Sequence, residues 1–221
     1  MSKGFNRIGF AFLLLLFFQS SWSQPFSNEI AAFKKQDSIA QPAKNVILFV
    51  GSSSFRLWEK MDSFFSGYKI INRGFGGSSI PDVIRYADDI ILSYQPKQII
   101  IYCGENDFAG DSSLYPSQVV KRFEELFTLI RSKFKKVPVV YVSMKPSPSR
   151  QHLMSKFNVA NVMIKNFLKK KKKIAFVDVY KAMLKADGTP MTDIFLEDNL
   201  HMNAKGYAIW QKIIEPYLLK N

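Results

Sequence analysis

Val46-Ile47-Leu48-Phe49-Val50-Gly51-Ser52-Ser53-Ser54 is the stretch from which the fold can be read. Its five consecutive apolar residues leave no polar face, so the strand they form is covered on both sides. That is the pattern of a parallel sheet with helices packed above and below. The Gly-Ser-Ser-Ser that follows is turn chemistry at the strand's carboxyl end. Serines there either cap the next helix or project a hydroxyl into the crevice where such sheets bind their ligands.

Four more runs of this kind follow, at residues 68–72, 98–103, 137–143 and 174–179. Helical patterns separate them. Residues 81–93 carry Val83, Ile84, Ala87, Ile90 and Ile91 at helical spacing. Residues 116–134 carry Val119, Val120, Phe123, Phe127 and Ile130, with Pro116 suited to a first turn. Residues 151–170 and 203–219 continue the alternation. The expectation is an α/β chain, a three-layer α/β/α sandwich around a five-stranded parallel sheet in one domain at residues 44–221.

In that arrangement, polar and glycine positions collect at one sheet edge. Ser53 follows the first strand, Gly77 the second and Asn106 the third. Asp198 and His201 lie after the fifth, in Asp198-Asn199-Leu200-His201. An Asp three residues before a His can hold one ring nitrogen from a short turn and leave the other free to take a proton. The other histidine, His152, has no carboxylate at short spacing. Gly74-Phe75-Gly76-Gly77 fails the dinucleotide-loop pattern, because Ser79 stands where its last glycine belongs. A backbone N–H and an Asn amide facing a developing oxyanion fit better. Glu105, Asp107 and Asp198 make a poor metal set, with no second His or Cys to complete it.

Taken in order, Gly51-Ser52-Ser53-Ser54, Asn72-Arg73-Gly74-Phe75-Gly76-Gly77, Gly104-Glu105-Asn106-Asp107 and Asp198-Asn199-Leu200-His201 resemble the four blocks of the SGNH (GDSL-type) hydrolases. The resemblance runs from about Val46 to His201. It implies Ser53 as nucleophile, Asp198 and His201 as the rest of a triad, and Ser53, Gly77 and Asn106 as oxyanion donors. It also implies a flavodoxin-like sheet of strand order 2-1-3-4-5. One departure stands out: Ser52 occupies the place of the first block's usual Asp. That leaves open the electrostatics of the turn and the choice among Ser52, Ser53 and Ser54.

Residues 1–23 read as an export leader. Lys3 and Arg7 precede an apolar run of 11 residues, Ile8 to Phe18, and Ser21-Trp22-Ser23 offers a small-x-small cleavage site. The run is too short to span a bilayer as a helix. An exported protein, periplasmic or extracellular, is the expectation. Residues 24–43 read as a lead-in, either a short helix or loose chain. Removing 23 of 221 residues leaves 198, ample for a full core. Cys103, the lone cysteine, ends an apolar strand and reads as a buried, unreactive thiol.

The formal charge of +13 falls to +11 without Lys3 and Arg7. Much of the excess sits at Lys165 and in the run of five lysines from Lys169 to Lys173. Such a run reads first as a solvated helix end and second as a contact for anionic surfaces. Nothing accompanies it that would mark nucleic-acid binding. The partner expected is a small acyl ester or an acylated glycan, and no metal or organic cofactor is called for. Lys145 and Arg150, after the fourth strand, read as two cations beside the crevice. No long apolar lid is evident, so a short acyl group is expected, foremost acetyl on a sugar. The other readings are a lysophospholipase or lipase-type acylhydrolase, and a scaffold that binds without cleaving. Intact Ser53, Asp198 and His201 argue against the last.

Overall fold

The computed structural model describes residues 24–220; the leader read at 1–23 lies outside them. Strands β1 (Val46–Gly51), β2 (Ile70–Gly74), β3 (Pro96–Tyr102), β4 (Val139–Val142) and β5 (Ile174–Val177) form one sheet of order β2-β1-β3-β4-β5. Every pairing is parallel. The described residues include eight α-helices: α1 (Ser27–Ile39) ahead of β1, α2 (Ser53–Arg56), α3 (Met61–Phe64), α4 (Ile80–Arg85), α5 (Glu105–Gly110), α6 (Pro116–Lys133) and α7 (Met154–Lys169) in the crossovers, and α8 (Ala204–Ile214) after β5. None is long and apolar enough to cross a membrane.

The alternation of side chains along each strand divides the core in two. Leu48, Val50, Ile99, Ile101, Val139 and Tyr141 face a layer containing Ile30, Val83, Phe123, Ile130, Phe157 and Ile164. Ile47, Phe49, Ile100, Tyr102, Val140 and Val142 face the opposite layer, with Phe55, Trp58, Phe65, Tyr207, Trp210 and Ile214. The second layer is built from rings. Trp58 stacks on Tyr207 at 4.9 Å, and Trp210 stands edge-on to Tyr102 at 4.7 Å. Burial on both faces is what the unbroken apolar strand runs require.

One segment settles an open alternative and another differs from expectation. Residues 24–43 contain α1, which sends Ile30 into the core and packs Phe26 and Phe33 against it. The helix expected over 81–93 is split into α4 and a π-helical turn at Asp88–Leu92, where Ser93 N–H reaches Asp88 O at 3.1 Å. Periodicity does not separate the two forms, because Ala87, Ile90 and Ile91 point inward in either.

Strand register sets the level of the functional loops. Gly51 pairs with Gly74 on one side and with Tyr102 on the other, so β1, β2 and β3 end together. Gly51 has φ 139°, and a Cβ there would lie 1.8 Å from Tyr102 O. Backbone strain and backbone contact thus coincide at the residue that begins the serine turn. Gly51→Ala is expected to cost more than about 2 kcal/mol, from the strained φ alone, and to lower Tm by at least roughly 5 °C. Thermal unfolding followed by circular dichroism checks this; an unchanged Tm would mean that β1 and β3 separate freely at this point.

Candidate active site

Of the three consecutive serines, Ser52 and Ser54 are buried and only Ser53 is partly open. The Ser54 hydroxyl is engaged with the Tyr102 phenol. Ser53 opens α2, and its Oγ lies 3.0 Å from His201 Nε2. Ser53 N–H belongs to the first helical turn, whose donors have no partner within the helix.

His201 and Asp198 sit on a tight hairpin after β5. Phe195 bridges Met202 in antiparallel fashion, and Leu196 N–H donates to His201 O at 2.7 Å. Asn199 turns the corner at φ 55°, a conformation Asn tolerates better than most residues. Asn203 fastens the hairpin to α8. Its Oδ1 accepts from Lys205 and Gly206 N–H at 2.9 and 3.3 Å, while its Nδ2 donates to Asp193 and Phe195 carbonyls. Asp198 Oδ1 takes the N–H groups of Leu200 and His201, both at 2.9 Å, and Oδ2 faces His201 Nδ1 at 2.5 Å. Partial burial works against the charged form, but these donors outweigh it and hold the Asp198 carboxyl below its ordinary value. An ionised carboxylate on Nδ1 leaves Nε2 as the acceptor for the Ser53 proton.

The loop after β2 brings Gly77 to the same edge. Gly77 is exposed, and its N–H has no hydrogen-bond partner among the described residues. A Cβ on Gly77 would meet nothing but Asn106 Nδ2, at 3.9 Å. Asn106 Nδ2 spends one of its two hydrogens on Ser78 O at 3.0 Å. Asp107, just beyond, accepts from Ile80 N–H and from Arg122 Nη1, at 2.9 and 2.8 Å, and so ties α5 to the start of α4. Cys103 is buried behind this loop with its Sγ 3.3 Å from Ser78 O, and burial pushes its thiol pKa well up.

Lys145 is not a cation beside the crevice. It is 1% exposed, with Nζ 3.4 Å from Glu105 Oε2 and its backbone N–H on Glu105 Oε1 at 2.9 Å. An ammonium so near a fully buried carboxylate is drawn inward, and the chain from Met144 to Ser147 is buried with it. Arg150 does reach the site edge, but its contacts are internal: Nη2 donates to Asn106 Oδ1 at 2.7 Å and Nη1 lies 3.4 Å from Glu105. The sequence pattern offers Glu105 only as a poor metal ligand. It instead joins Tyr102 Oη, Lys145 and Arg150 beneath Asn106. Its signal in the sequence was a carboxylate at one strand end facing two cations at the next. His152 is exposed on a 3-10 turn at Pro148–Leu153.

The profile of the GDSL-like lipase/acylhydrolase family matches residues 37–209. The chain belongs to that family. Membership carries hydrolase chemistry on esters with it. No sequence match is found among curated proteins. Among solved structures, the fold is shared with a GDSL-like lipase from Bacteroides thetaiotaomicron. The two are 19% identical with a TM-score of 0.73, over 85% of this chain and 96% of that one. It is shared also with a family 3 carbohydrate esterase from Talaromyces cellulolyticus, 16% identical with a TM-score of 0.60, over 78% of this chain and 95% of that one. A family 3 carbohydrate esterase from Clostridium thermocellum is 16% identical with a TM-score of 0.58, over 79% and 97%.

Burial opposes ionisation of Glu105, yet Lys145 and Arg150 override it and hold its carboxyl below the ordinary value. A folded pKa below the unfolded one gives stability that is fully present above the unfolded value, about 4.3 for Glu, and is lost as pH falls through the lower folded value. Glu105→Gln leaves Lys145 buried beside a neutral amide and is expected to cost roughly 3–5 kcal/mol at pH 7. The gap between wild type and variant should narrow as pH falls below about 4. Calorimetry across pH 3–8 measures it; a gap independent of pH would show that Glu105 is not ionised in the folded protein.

Proposed function

We propose that this protein is an exported serine esterase that removes short acyl groups, foremost acetyl on carbohydrate. Its support is the unbroken contact from Asp198 through His201 to Ser53 Oγ. In this reading His201 Nε2 takes the Ser53 proton as Oγ attacks the ester carbonyl. The tetrahedral oxyanion is met by the N–H groups of Ser53 and Gly77 and by the free hydrogen of Asn106 Nδ2. His201 then protonates the leaving alcohol, and water repeats the sequence on the acyl-serine. Asp198 keeps the imidazole oriented and compensates its charge. The chemistry needs no metal or organic cofactor.

The glycan substrate is supported by the openness of the site, since Gly77 and Asp198 are exposed and an ester borne on a polymer can reach Ser53. Family 3 carbohydrate esterases with the same fold agree with it. Lysophospholipid hydrolysis has one observation in its favour. A surface recess of about 330 Å³ near the hairpin is lined by Leu57, Phe64, Leu196, Met202 and Tyr207, a place for an acyl chain. The basic run does not strengthen that rival. Lys169 to Lys173 close α7 and lead into β5, so they lie at the amino ends of the strands, away from Ser53. An anionic surface held by these lysines is not the surface presented to Ser53.

Ser53→Ala or His201→Ala is expected to lower turnover of a chromogenic acetate by more than about 10³-fold while the fold is kept. A fluorophosphonate probe should label Ser53 in the wild type, as read by peptide mass spectrometry. Label on Ser52 or Ser54 would refute the assignment. Across acyl esters from C2 to C12, kcat/KM is expected to peak at C2–C4. A maximum at C8 or longer would transfer the assignment to the lysophospholipase reading and to the Leu57–Leu196 recess.

A further inference from the structure

We propose that α1 is a positioning element of the esterase site, acting through Glu29. The inference rests on Ser53 and Gly77 acting as described above. Glu29 lies in the first turn of α1, and its Oε2 accepts the N–H of Gly76 at 3.0 Å. The same oxygen lies 3.6 Å from Nε of Arg56. Arg56 is the last residue of α2, the helix that opens with Ser53. One carboxylate therefore touches both the helix that carries the nucleophile and the loop that carries the oxyanion glycine.

The Gly76 N–H held by Glu29 belongs to the peptide unit directly before the one that carries the Gly77 N–H, so the contact anchors the loop one residue from that donor. Gly76 has φ 33°, and a Cβ there would lie 2.2 Å from the ring of Phe26, so the loop and the residue before α1 are in direct contact. Phe26 stands edge-on to Phe75 at 5.3 Å, Phe75 edge-on to Tyr86 at 5.9 Å, and Tyr86 Oη donates to Pro25 O at 2.6 Å. At its other end α1 gives Asp37 to Arg73 and Tyr94, and Arg73 is the residue before Gly74. The helix thus grips the β2 exit at Arg73 and at Gly76, with the oxyanion loop between and beyond. The family match begins at residue 37, so almost all of α1 lies ahead of the matched segment.

The exposed pair with Arg56 is a weak source of stability, which separates a geometric role from a structural one. Glu29→Ala is expected to lower kcat on a chromogenic acetate roughly ten- to hundredfold, with KM within about twofold, because the donor is displaced rather than the substrate. Fluorophosphonate labelling of Ser53 should slow in parallel, since negative charge builds on its phosphoryl oxygen at the same place as Ser53 Oγ displaces fluoride. Glu29→Gln keeps an acceptor for Gly76 N–H and should recover most of the loss. Lys34→Ala, which removes a surface ion pair from the same helix, should leave the kinetics unchanged. If Glu29→Ala does not fold, Phe26→Leu, which loosens the ring over Gly76, is expected to lower kcat several-fold with the same KM. Wild-type kcat in these variants, a change in KM alone, or a loss that Gln does not recover overturns the proposal. A wild-type protein that neither hydrolyses esters nor labels at Ser53 overturns instead the reading of the site itself.

Discussion

The buried carboxylate of Glu105 is the contact on which the mouth of the site depends. It is reached by Tyr102 Oη from the end of β3, by the backbone and side chain of Lys145 from the end of β4, and by Arg150 from the turn beyond. A carboxylate removed from water is costly unless charge and hydrogen bonds are restored to it, so the loops after β3 and β4 are drawn onto Glu105 together. Arg150 carries the constraint outward to Asn106 Oδ1. Ser149 N–H carries it further, donating to Asn199 O at 3.1 Å on the hairpin that holds Asp198 and His201. Loops from three strands, separated widely in sequence, are locked by one ionic centre and its neighbours.

That centre also explains what could and could not be read from the chain. The strands were legible because burial on both faces leaves an unbroken apolar run, as in residues 46–50, and the order of the sheet followed from the family resemblance. The levels of Ser53, Gly77 and Asn106 were legible because parallel strands end at one edge. Lys145 was misread because its burial depends on Glu105, forty positions earlier, and no local pattern carries that partner. Over residues 24–43 the local pattern does not choose between helix and loose chain, because the polar residues that make α1 matter, Glu29 and Asp37, act across the fold on Gly76 and Arg73. Local patterns record burial and turns; ion pairs between loops leave no such trace.

The serine at position 52 fits the same electrostatic logic. Ser52 is buried, its N–H donates to Tyr102 O at 3.0 Å, and its carbonyl accepts from Phe55 and Arg56 as α2 begins. The position thus works through its backbone, joining β3 to the serine turn. A carboxylate there would need a counter-charge of its own, while Lys145 and Arg150 are already held by Glu105. A neutral side chain keeps the turn without a further buried carboxylate beside Glu105 and Asp107.

Charge elsewhere is distributed with similar economy. Residues 126–177 hold thirteen Lys and Arg and no Asp or Glu, which equals the whole formal charge of +13; the remaining basic and acidic residues balance at eighteen each. Most of that excess is exposed near the ends of α6 and α7, where Arg131 binds the carbonyls of Lys172 and Lys173 at 3.5 and 2.9 Å. Only Lys145 and Arg150 from this stretch approach Asn106, and Glu105 offsets one of the two charges. The remaining positive charge stands directly behind the Asn106 amide. A cation on the amide oxygen polarises the Nδ2 hydrogens, so a neutral donor facing the crevice strengthens as negative charge develops opposite it. The guanidinium itself stays out of the crevice, where it would otherwise compete with Nδ1 of His201 for the carboxylate of Asp198.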